Sequence, residues 1–164
     1  MSTGNQTSIG PTQIGVAILA LVTAGVHLYL FLIEGFLGTG EMLPIYQFLF
    51  VGNFFAYVTL TAALLLPIVP LTRVRSIVRT LLIAVAVASI ASYFHVGVLD
   101  LLGNLDKAVE VLLIMLVTAD AATSGSEEDI SGRFASGAVG AAVQLVAGIV
   151  LGLAMFGVMT PIMV

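Results

Sequence analysis

The stretch TLLIAVAVASIASYFHVGVL, from Thr80 to Leu99, decides the fold class of this chain because it contains no charged side chain. Three further runs are also uncharged, namely Thr12–Ile33, Met42–Thr72 and Phe134–Val164. A helix needs about 20 mostly apolar residues to cross the hydrocarbon core of a bilayer, and each run is long enough. We therefore predict an all-α protein, a polytopic membrane helical bundle.

The composition supports the same class. Only 9% of the 164 residues are charged and 60% are hydrophobic, so the charges are too few to cover a water-soluble surface. The net charge of −4 argues against a nucleic-acid partner, and the lack of cysteine excludes disulfides, thiolate metal sites and cysteine nucleophiles. We expect a multi-pass protein of the cell membrane whose main partner is the lipid bilayer.

The chain is predicted to divide into four parts. These are a polar N-terminal tail over 1–11, a four-helix membrane bundle over 12–122, an acidic cytoplasmic loop over 123–133 and a fifth transmembrane helix over 134–164. The tail lacks the positive region of a secretory signal, so we expect the first apolar run to be retained as an anchor.

Helix boundaries within the bundle follow from proline, glycine and capping residues. The first helix is expected to begin at Pro11 or Thr12 and to end near Phe36, and the second to run from Pro44 to between Pro67 and Pro70. A third helix is expected to begin after Arg73, Arg75 and Arg79 and to end near Leu102. Asn104 is expected to be the N-cap of the fourth helix.

The segment Leu105–Ala122 differs from the other predicted crossings, because Glu110 and Asp120 leave only nine uncharged residues between them. The whole segment rises about 27 Å as a helix, which is enough to cross if Asp106 and Lys107 lie at one interface and Asp120 lies at the other. Glu110 would then lie inside the membrane. The alternative is a surface helix among the lipid headgroups.

Basic residues predict the orientation. In a five-span arrangement with the N-terminus cytoplasmic and the C-terminus outside, Arg73, Arg75, Arg79 and Arg133 lie in cytoplasmic loops and only Lys107 lies outside. Lysine and arginine favour the cytoplasmic side in short loops, so this distribution favours five crossings over four.

Polar residues are expected to meet at one depth in the outer half of the bundle. By helical rise, His27, Asn53, His95 and Glu110 lie about 7–14 Å below the outer rim. Polar groups are costly against lipid, so each helix should turn its polar stripe inward. The polar stripe of the first helix contains Thr23, His27 and Glu34. That of the second helix contains Tyr46, Asn53, Tyr57 and Thr61, and that of the third contains Ser89, Ser92 and His95. Glu110 is expected to pair with Lys107 or with a histidine.

Three roles are open for the two histidines. As axial ligands, His27 and His95 would hold a haem b in an electron-transfer or quinone-linked membrane subunit. With Glu34 and Glu110 they would form a proton or ion path. As a third possibility, they only fix helix packing through hydrogen bonds, and no cofactor is bound. No HxxxH pairing indicates a zinc site, so the metal prediction stays open.

No enzyme signature is present, since the sequence has no GxSxG elbow, phosphate-binding glycine loop or HExxH motif. A non-enzymatic protein is therefore the favoured reading. Gly148 and Gly152 form a GxxxG step in the last helix. Such a step indicates close helix packing, either within the chain or against a membrane partner or second copy.

Three short segments resemble a pattern in small four-helix membrane proteins of haloarchaea and some bacteria. They are the GxHL step at Gly25–Leu28, the GxFF step at Gly52–Phe55 and the acidic helix start LDKAVEVLL at Leu105–Leu113. The resemblance covers about residues 14–122 and implies no activity, because that family is uncharacterised. It draws attention to His27 and Glu110, while the fifth helix departs from the pattern.

Overall fold

The computed structural model describes residues 9–38, 42–66, 68–97, 99–124 and 136–162, and within these ranges every regular element is helical. The elements are α1 (Pro11–Tyr29), continued by a π-helical turn (Leu30–Phe36), then α2 (Pro44–Leu65), a one-turn helix α3 (Val69–Thr72), α4 (Arg75–Val96), α5 (Leu101–Thr123) and α6 (Gly137–Met159), which ends in a 3₁₀ turn (Thr160–Ile162). The predicted all-α class is confirmed. Most of the predicted polar tail and of the acidic loop lies outside the described residues.

Two predicted boundaries between α4 and α5 are wrong. The third helix was expected to reach Leu102, but α4 ends at Val96 because Gly97 adopts the left-handed conformation with φ of 76°. The next helix was expected to be capped by Asn104, but α5 begins four residues earlier, at Leu101. Asp100 caps it by accepting a 2.5 Å hydrogen bond from the Gly103 N–H. Asp100 is as good an N-cap as Asn104 and comes first in the chain.

The long helices alternate in direction, as their side-chain contacts show. Along α5, Lys107 meets Ser89 of α4 and Asp120 meets Arg79, so α4 and α5 are antiparallel. By the same reasoning α5 is antiparallel to α1, since Asp106 meets Thr23 and Leu116 lies against Gly15.

The last helix runs parallel to α4. Gly148 of α6 lies against Ile83 and Gly152 lies against Val87, so the residue numbers rise together along the two helices. One end of the bundle, here called the Arg75 end, therefore contains the starts of α1, α4 and α6. The other, the Asp100 end, contains the start of α5.

Within the part of the chain that the structure describes, four helical segments are long and apolar enough to cross a membrane, namely Pro11–Phe36, Pro44–Leu65, Arg75–Val96 and Gly137–Met159. Large apolar side chains are exposed along them, among them Ile18, Phe48 and Val150. An apolar exterior of this kind suits lipid and not water. These features are those of a multi-pass membrane protein.

The α5 helix is missing from that set because of its charges, yet it lies along α4 over the same length. Its charged residues Asp106, Lys107, Glu110 and Asp120 are all buried, while its exposed residues include Leu105 and Met115. This helix therefore turns its polar side inward and its apolar side outward, which is the arrangement a membrane-spanning helix requires.

The small-residue face of α6 is used inside the chain. A Cβ atom added to Gly148 would lie 2.5 Å from the Cγ2 atom of Ile83, and one added to Gly152 would lie 2.6 Å from the backbone oxygen of Ala84. Both glycines are buried. The GxxxG step therefore brings α6 close to α4, and a partner on the same face would have to displace α4.

Candidate functional site

Seven polar side chains from four helices meet in the half of the bundle nearer the Asp100 end. We call them the polar core cluster. Its members are Thr23 and His27 from α1, Tyr57 from α2, Ser89 from α4, and Asp106, Lys107 and Glu110 from α5. All seven are buried, so the cluster brings two carboxyl groups and an amine into the apolar interior.

The ammonium group of Lys107 lies at the centre of the cluster. Its Nζ atom is 2.9 Å from Oδ2 of Asp106, 2.7 Å from Oε2 of Glu110 and 2.6 Å from Oγ of Ser89. An ammonium group has three hydrogens, so each of these contacts uses one donor. The predicted pairing of Glu110 with Lys107 is confirmed.

Two hydroxyl groups bind the remaining carboxylate oxygens. Thr23 Oγ1 lies 2.6 Å from Oδ1 of Asp106 and 3.4 Å from Oε1 of Glu110, while Tyr57 donates to that same Oε1 atom at 2.8 Å. All four carboxylate oxygens therefore have a hydrogen-bond partner. Unpaired buried carboxylates are strongly destabilising, and these donors satisfy both of them.

The ring of His27 completes the cluster on α1. Its Nδ1 atom lies 2.9 Å from the carbonyl oxygen of Thr23, and its Nε2 atom lies 3.3 Å from Oγ of Ser89. Because Ser89 already accepts from Lys107, its own hydrogen is available to Nε2, and Nδ1 then donates to the carbonyl. This pattern corresponds to a neutral imidazole. Nδ1 is 4.0 Å from Oδ2 of Asp106.

A second buried ion pair lies toward the Arg75 end. Arg79 of α4 donates to Asp120 of α5 through Nε at 2.8 Å and also contacts the hydroxyl of Ser124 at 2.6 Å. The prediction that Arg79 lies in a loop is wrong, because α4 already begins at Arg75. Arg79 and Asp120 are both helical and buried, and opposite charges on adjacent helices can satisfy each other inside the protein.

An apolar layer separates the two charged sites. Between Glu110 and Asp120, the buried face of α5 presents Leu113 and Val117, and Leu82 of α4 belongs to the same core. The separation along α5 is about 15 Å at 1.5 Å per residue. Apolar side chains of α5 and α4 therefore lie between the polar core cluster and the Arg79–Asp120 pair.

Some of the predicted site residues lie in the polar core cluster, and others lie outside it. His27, Tyr57 and Glu110 lie in the polar core cluster. Asn53 is half-buried on α2 and Glu34 is exposed in the π-helical turn, and neither contributes to the cluster contacts described above. His95 is exposed, and its ring packs edge-on against Phe156 of α6.

The two histidines thus have separate surroundings. A haem with two axial histidines needs both rings to face one space, whereas His27 bonds to Thr23 and Ser89 and His95 packs on α6. The described contacts give no support to the haem b reading, which stays a prediction to be tested.

One group of residues has the spacing of a metal site. Ligand atoms of His27, Asp106 and Glu110 lie within 4.8 Å of one another. However, the ammonium group of Lys107 already bonds to both carboxylates in this space. A cation is thus already supplied by the chain itself, and the arrangement describes an acid–base cluster better than a metal centre.

Sequence reasoning missed Asp106, Thr23 and Ser89 as members of the site. Thr23 and Ser89 were placed on the polar stripes of their helices, so the helical spacing contained that signal. Asp106 was assigned to the interface because it was expected in the first turn after Asn104. The earlier start of α5 moves it one and a half turns into the helix.

Comparisons of the chain with protein-family models, with curated proteins and with solved structures find no match. The site must therefore be interpreted from its own chemistry.

Proposed function

We propose that this protein is a non-enzymatic, multi-pass protein of the cell membrane that binds and releases a proton at the polar core cluster. The observation that carries the proposal is a charge imbalance in a buried place. Two carboxylates, Asp106 and Glu110, share the single ammonium group of Lys107, and Glu110 is 0% exposed. Ionisable groups inside a membrane protein usually mark a proton or ion pathway.

The imbalance can be removed by one proton. With His27 neutral, the cluster has a formal charge of −1, and an isolated charge in a medium of low dielectric constant is strongly unfavourable. One added proton makes the cluster neutral. The same logic applies to shared carboxylate sites in general, where neighbouring acids rarely ionise completely.

Transport through the whole bundle needs more than this site. The apolar layer at Leu113 and Val117 separates the cluster from Arg79 and Asp120, and the buried face of α5 has no polar side chain between Glu110 and Asp120. We therefore propose exchange of the proton with the side of the membrane that faces the Asp100 end. Passage to the other side would require a change in helix packing.

We further propose that α5 is a fifth transmembrane helix and that the Arg75 end is cytoplasmic. Arg73 is exposed there, and Arg75 lies beside it at the start of α4, while Lys107 of the other end is buried. Basic residues that remain on the surface thus favour the Arg75 end as the cytoplasmic one. The N-terminus would then be cytoplasmic and the C-terminus outside.

The test measures how many protons the protein takes up when the formal charge of the cluster is changed. Purified protein in detergent is titrated with acid from about pH 8 to pH 5, a range in which ordinary carboxyl groups stay mostly ionised. Relative to the unmodified protein, Glu110→Gln removes one negative charge from the cluster and should take up about one proton fewer. Lys107→Met removes the positive charge and should take up its proton at a higher pH than the unmodified protein does, because both carboxylates then lack a counter-ion.

The control is Glu34→Gln, which removes an exposed carboxyl group and leaves the cluster unchanged, so its uptake should equal that of the unmodified protein. Exposed groups titrate alike in all these proteins and cancel in the difference. If both cluster variants retain the unmodified uptake while folded, as judged by helical circular dichroism, the cluster binds no exchangeable proton and only fixes packing.

A further inference from the structure

We infer that Thr23 is the positioning residue of this proton site, and that its hydroxyl group lets Asp106 and Glu110 share one proton. The inference rests on the proposed function and specifies where the proton is held. Thr23 Oγ1 lies between the two carboxylate oxygens that Lys107 does not contact, 2.6 Å from Oδ1 of Asp106 and 3.4 Å from Oε1 of Glu110. The hydroxyl group of Thr23, on α1, thus bridges Asp106 and Glu110, which both lie on α5.

The other contacts of the carboxyl groups determine which oxygens can take the proton. Oδ2 of Asp106 and Oε2 of Glu110 both face the ammonium group of Lys107, which can only donate hydrogen bonds. A proton on either of these oxygens would point at another donor. The oxygens left are Oδ1 of Asp106 and Oε1 of Glu110, and these two face Thr23.

A hydroxyl group suits this place because it has one hydrogen to donate and two lone pairs to accept. When Asp106 is protonated at Oδ1, its O–H donates to Thr23, and Thr23 donates to Oε1 of Glu110. When Glu110 is protonated at Oε1, its O–H donates to Thr23, and Thr23 donates to Oδ1 of Asp106. Every hydrogen has an acceptor in both states, and the hydroxyl of Tyr57 donates to Oε1 in each.

The exchange between these states conserves atoms and charge. The Oδ1–H bond of Asp106 breaks and that hydrogen bonds to Oγ1 of Thr23, while the original hydroxyl hydrogen of Thr23 moves to Oε1 of Glu110. No electron pair leaves the oxygens, and no other reactant is needed. The remaining facing groups are His27 beside Asp106, Lys107 between the carboxylates, Ser89 from α4 and Tyr57 from α2.

Infrared difference spectroscopy tests the inference directly. Spectra of the full-length protein are compared between acidic and alkaline buffer, and the carbonyl stretching band of a protonated carboxyl group is followed. Samples contain aspartate or glutamate labelled with ¹³C at the side-chain carboxyl carbon. In the unmodified protein, we expect each label to shift part of the band, because the proton is shared.

The variants are Thr23→Val, which keeps the side-chain shape and removes the hydroxyl, and Thr23→Ser, which keeps the hydroxyl. In Thr23→Val we expect only one of the two labels to shift the band, since the bridge is lost. In Thr23→Ser both labels should shift it again. Thr61→Val, which removes a buried hydroxyl outside the cluster, should behave as the unmodified protein does.

The results separate this inference from the proposed function. Both labels still shifting the band in Thr23→Val, or a single label shifting it in the unmodified protein, would overturn the role of Thr23 while proton uptake remains. Uptake without any protonated carboxyl band would place the proton on His27 and would also overturn it. Absence of proton uptake in the unmodified protein would overturn both.

Discussion

Arg79 of α4 and Asp120 of α5 form a buried ion pair in which two guanidinium nitrogens, Nε and an Nη atom, contact one carboxylate oxygen at 2.8 Å and 2.7 Å. Toward the other end of the same two helices, Lys107 contacts Ser89 at 2.6 Å. The α4–α5 pair is thus joined by charged side chains at two levels, with apolar packing between them. This arrangement holds α5 inside the bundle despite its charges.

Breaking the Arg79–Asp120 pair should destabilise the protein strongly. Asp120→Asn removes the negative charge that Arg79 contacts, and loss of one partner of a buried pair costs about 3–5 kcal/mol. The free energy of unfolding is measured in detergent micelles by circular dichroism. The control is Arg73→Gln, which removes an exposed arginine at the same end. A decrease in Asp120→Asn no larger than in this control would show that the pair does not stabilise the bundle.

The crossing by α5 can be tested by chemical labelling, since the chain has no cysteine of its own. Single cysteines at Leu101 and at Thr123 lie at the two ends of α5, and both positions are exposed. In sealed vesicles of known orientation, an impermeant maleimide should label them from opposite sides. A cysteine at Met115, exposed on the middle of α5, should react from neither side because it faces lipid. Labelling of both end positions from one side would contradict the five-span arrangement.

The contact between α6 and α4 predicts a contrast between two glycines of one helix. Gly152→Ala places a methyl group 2.6 Å from the backbone oxygen of Ala84, which cannot move without shifting α4. Overpacking of this kind costs about 1–3 kcal/mol. Gly157→Ala meets no atom within 4 Å and should leave stability unchanged or slightly higher. Equal unfolding free energies of the two variants would mean that α6 packs more loosely than described.

Thr61 of α2 offers a substitution that should stabilise the protein. Its side chain is 3% exposed, and its hydroxyl has no hydrogen-bond partner among the described residues. A buried hydroxyl without a partner costs about 1–3 kcal/mol, so Thr61→Val should raise the unfolding free energy. Thr59→Val, at an exposed threonine that bonds to its own helix at 2.6 Å, should change it by less than about 0.5 kcal/mol. A loss of stability in Thr61→Val would reveal a bound water at that hydroxyl.

The two histidines should differ in their effect on stability. His27→Ala removes a buried ring and its bonds to Thr23 and Ser89, and we expect a loss of about 1–3 kcal/mol. His95→Ala alters an exposed ring and should cost less than about 0.5 kcal/mol. The absorption spectrum of purified protein tests the haem reading in parallel. A stoichiometric Soret band lost in both variants would show that the two rings do share a cofactor.

Much of the site could be predicted from helical spacing. The inward polar stripes contained Thr23, His27, Tyr57 and Ser89, and the pairing of Glu110 with Lys107 follows from their separation by three residues. His95 has the same kind of position on its stripe but is exposed. Spacing on one helix says which residues share a face, but it does not say how the helix is rotated at each end relative to its neighbours.

By itself, the sequence determined that the chain is an all-α membrane protein, because long uncharged runs have no other stable environment than a bilayer core. It also determined the ends of the first two long helices through proline and glycine. Only the tertiary structure decided that Asp106 lies beside Glu110 in the polar core cluster, that Arg79 binds Asp120 and that His95 lies outside the cluster. These outcomes depend on the relative depth and rotation of helices distant in sequence. That relation is set by packing, such as the close approach of Gly148 to α4, and not by any local pattern.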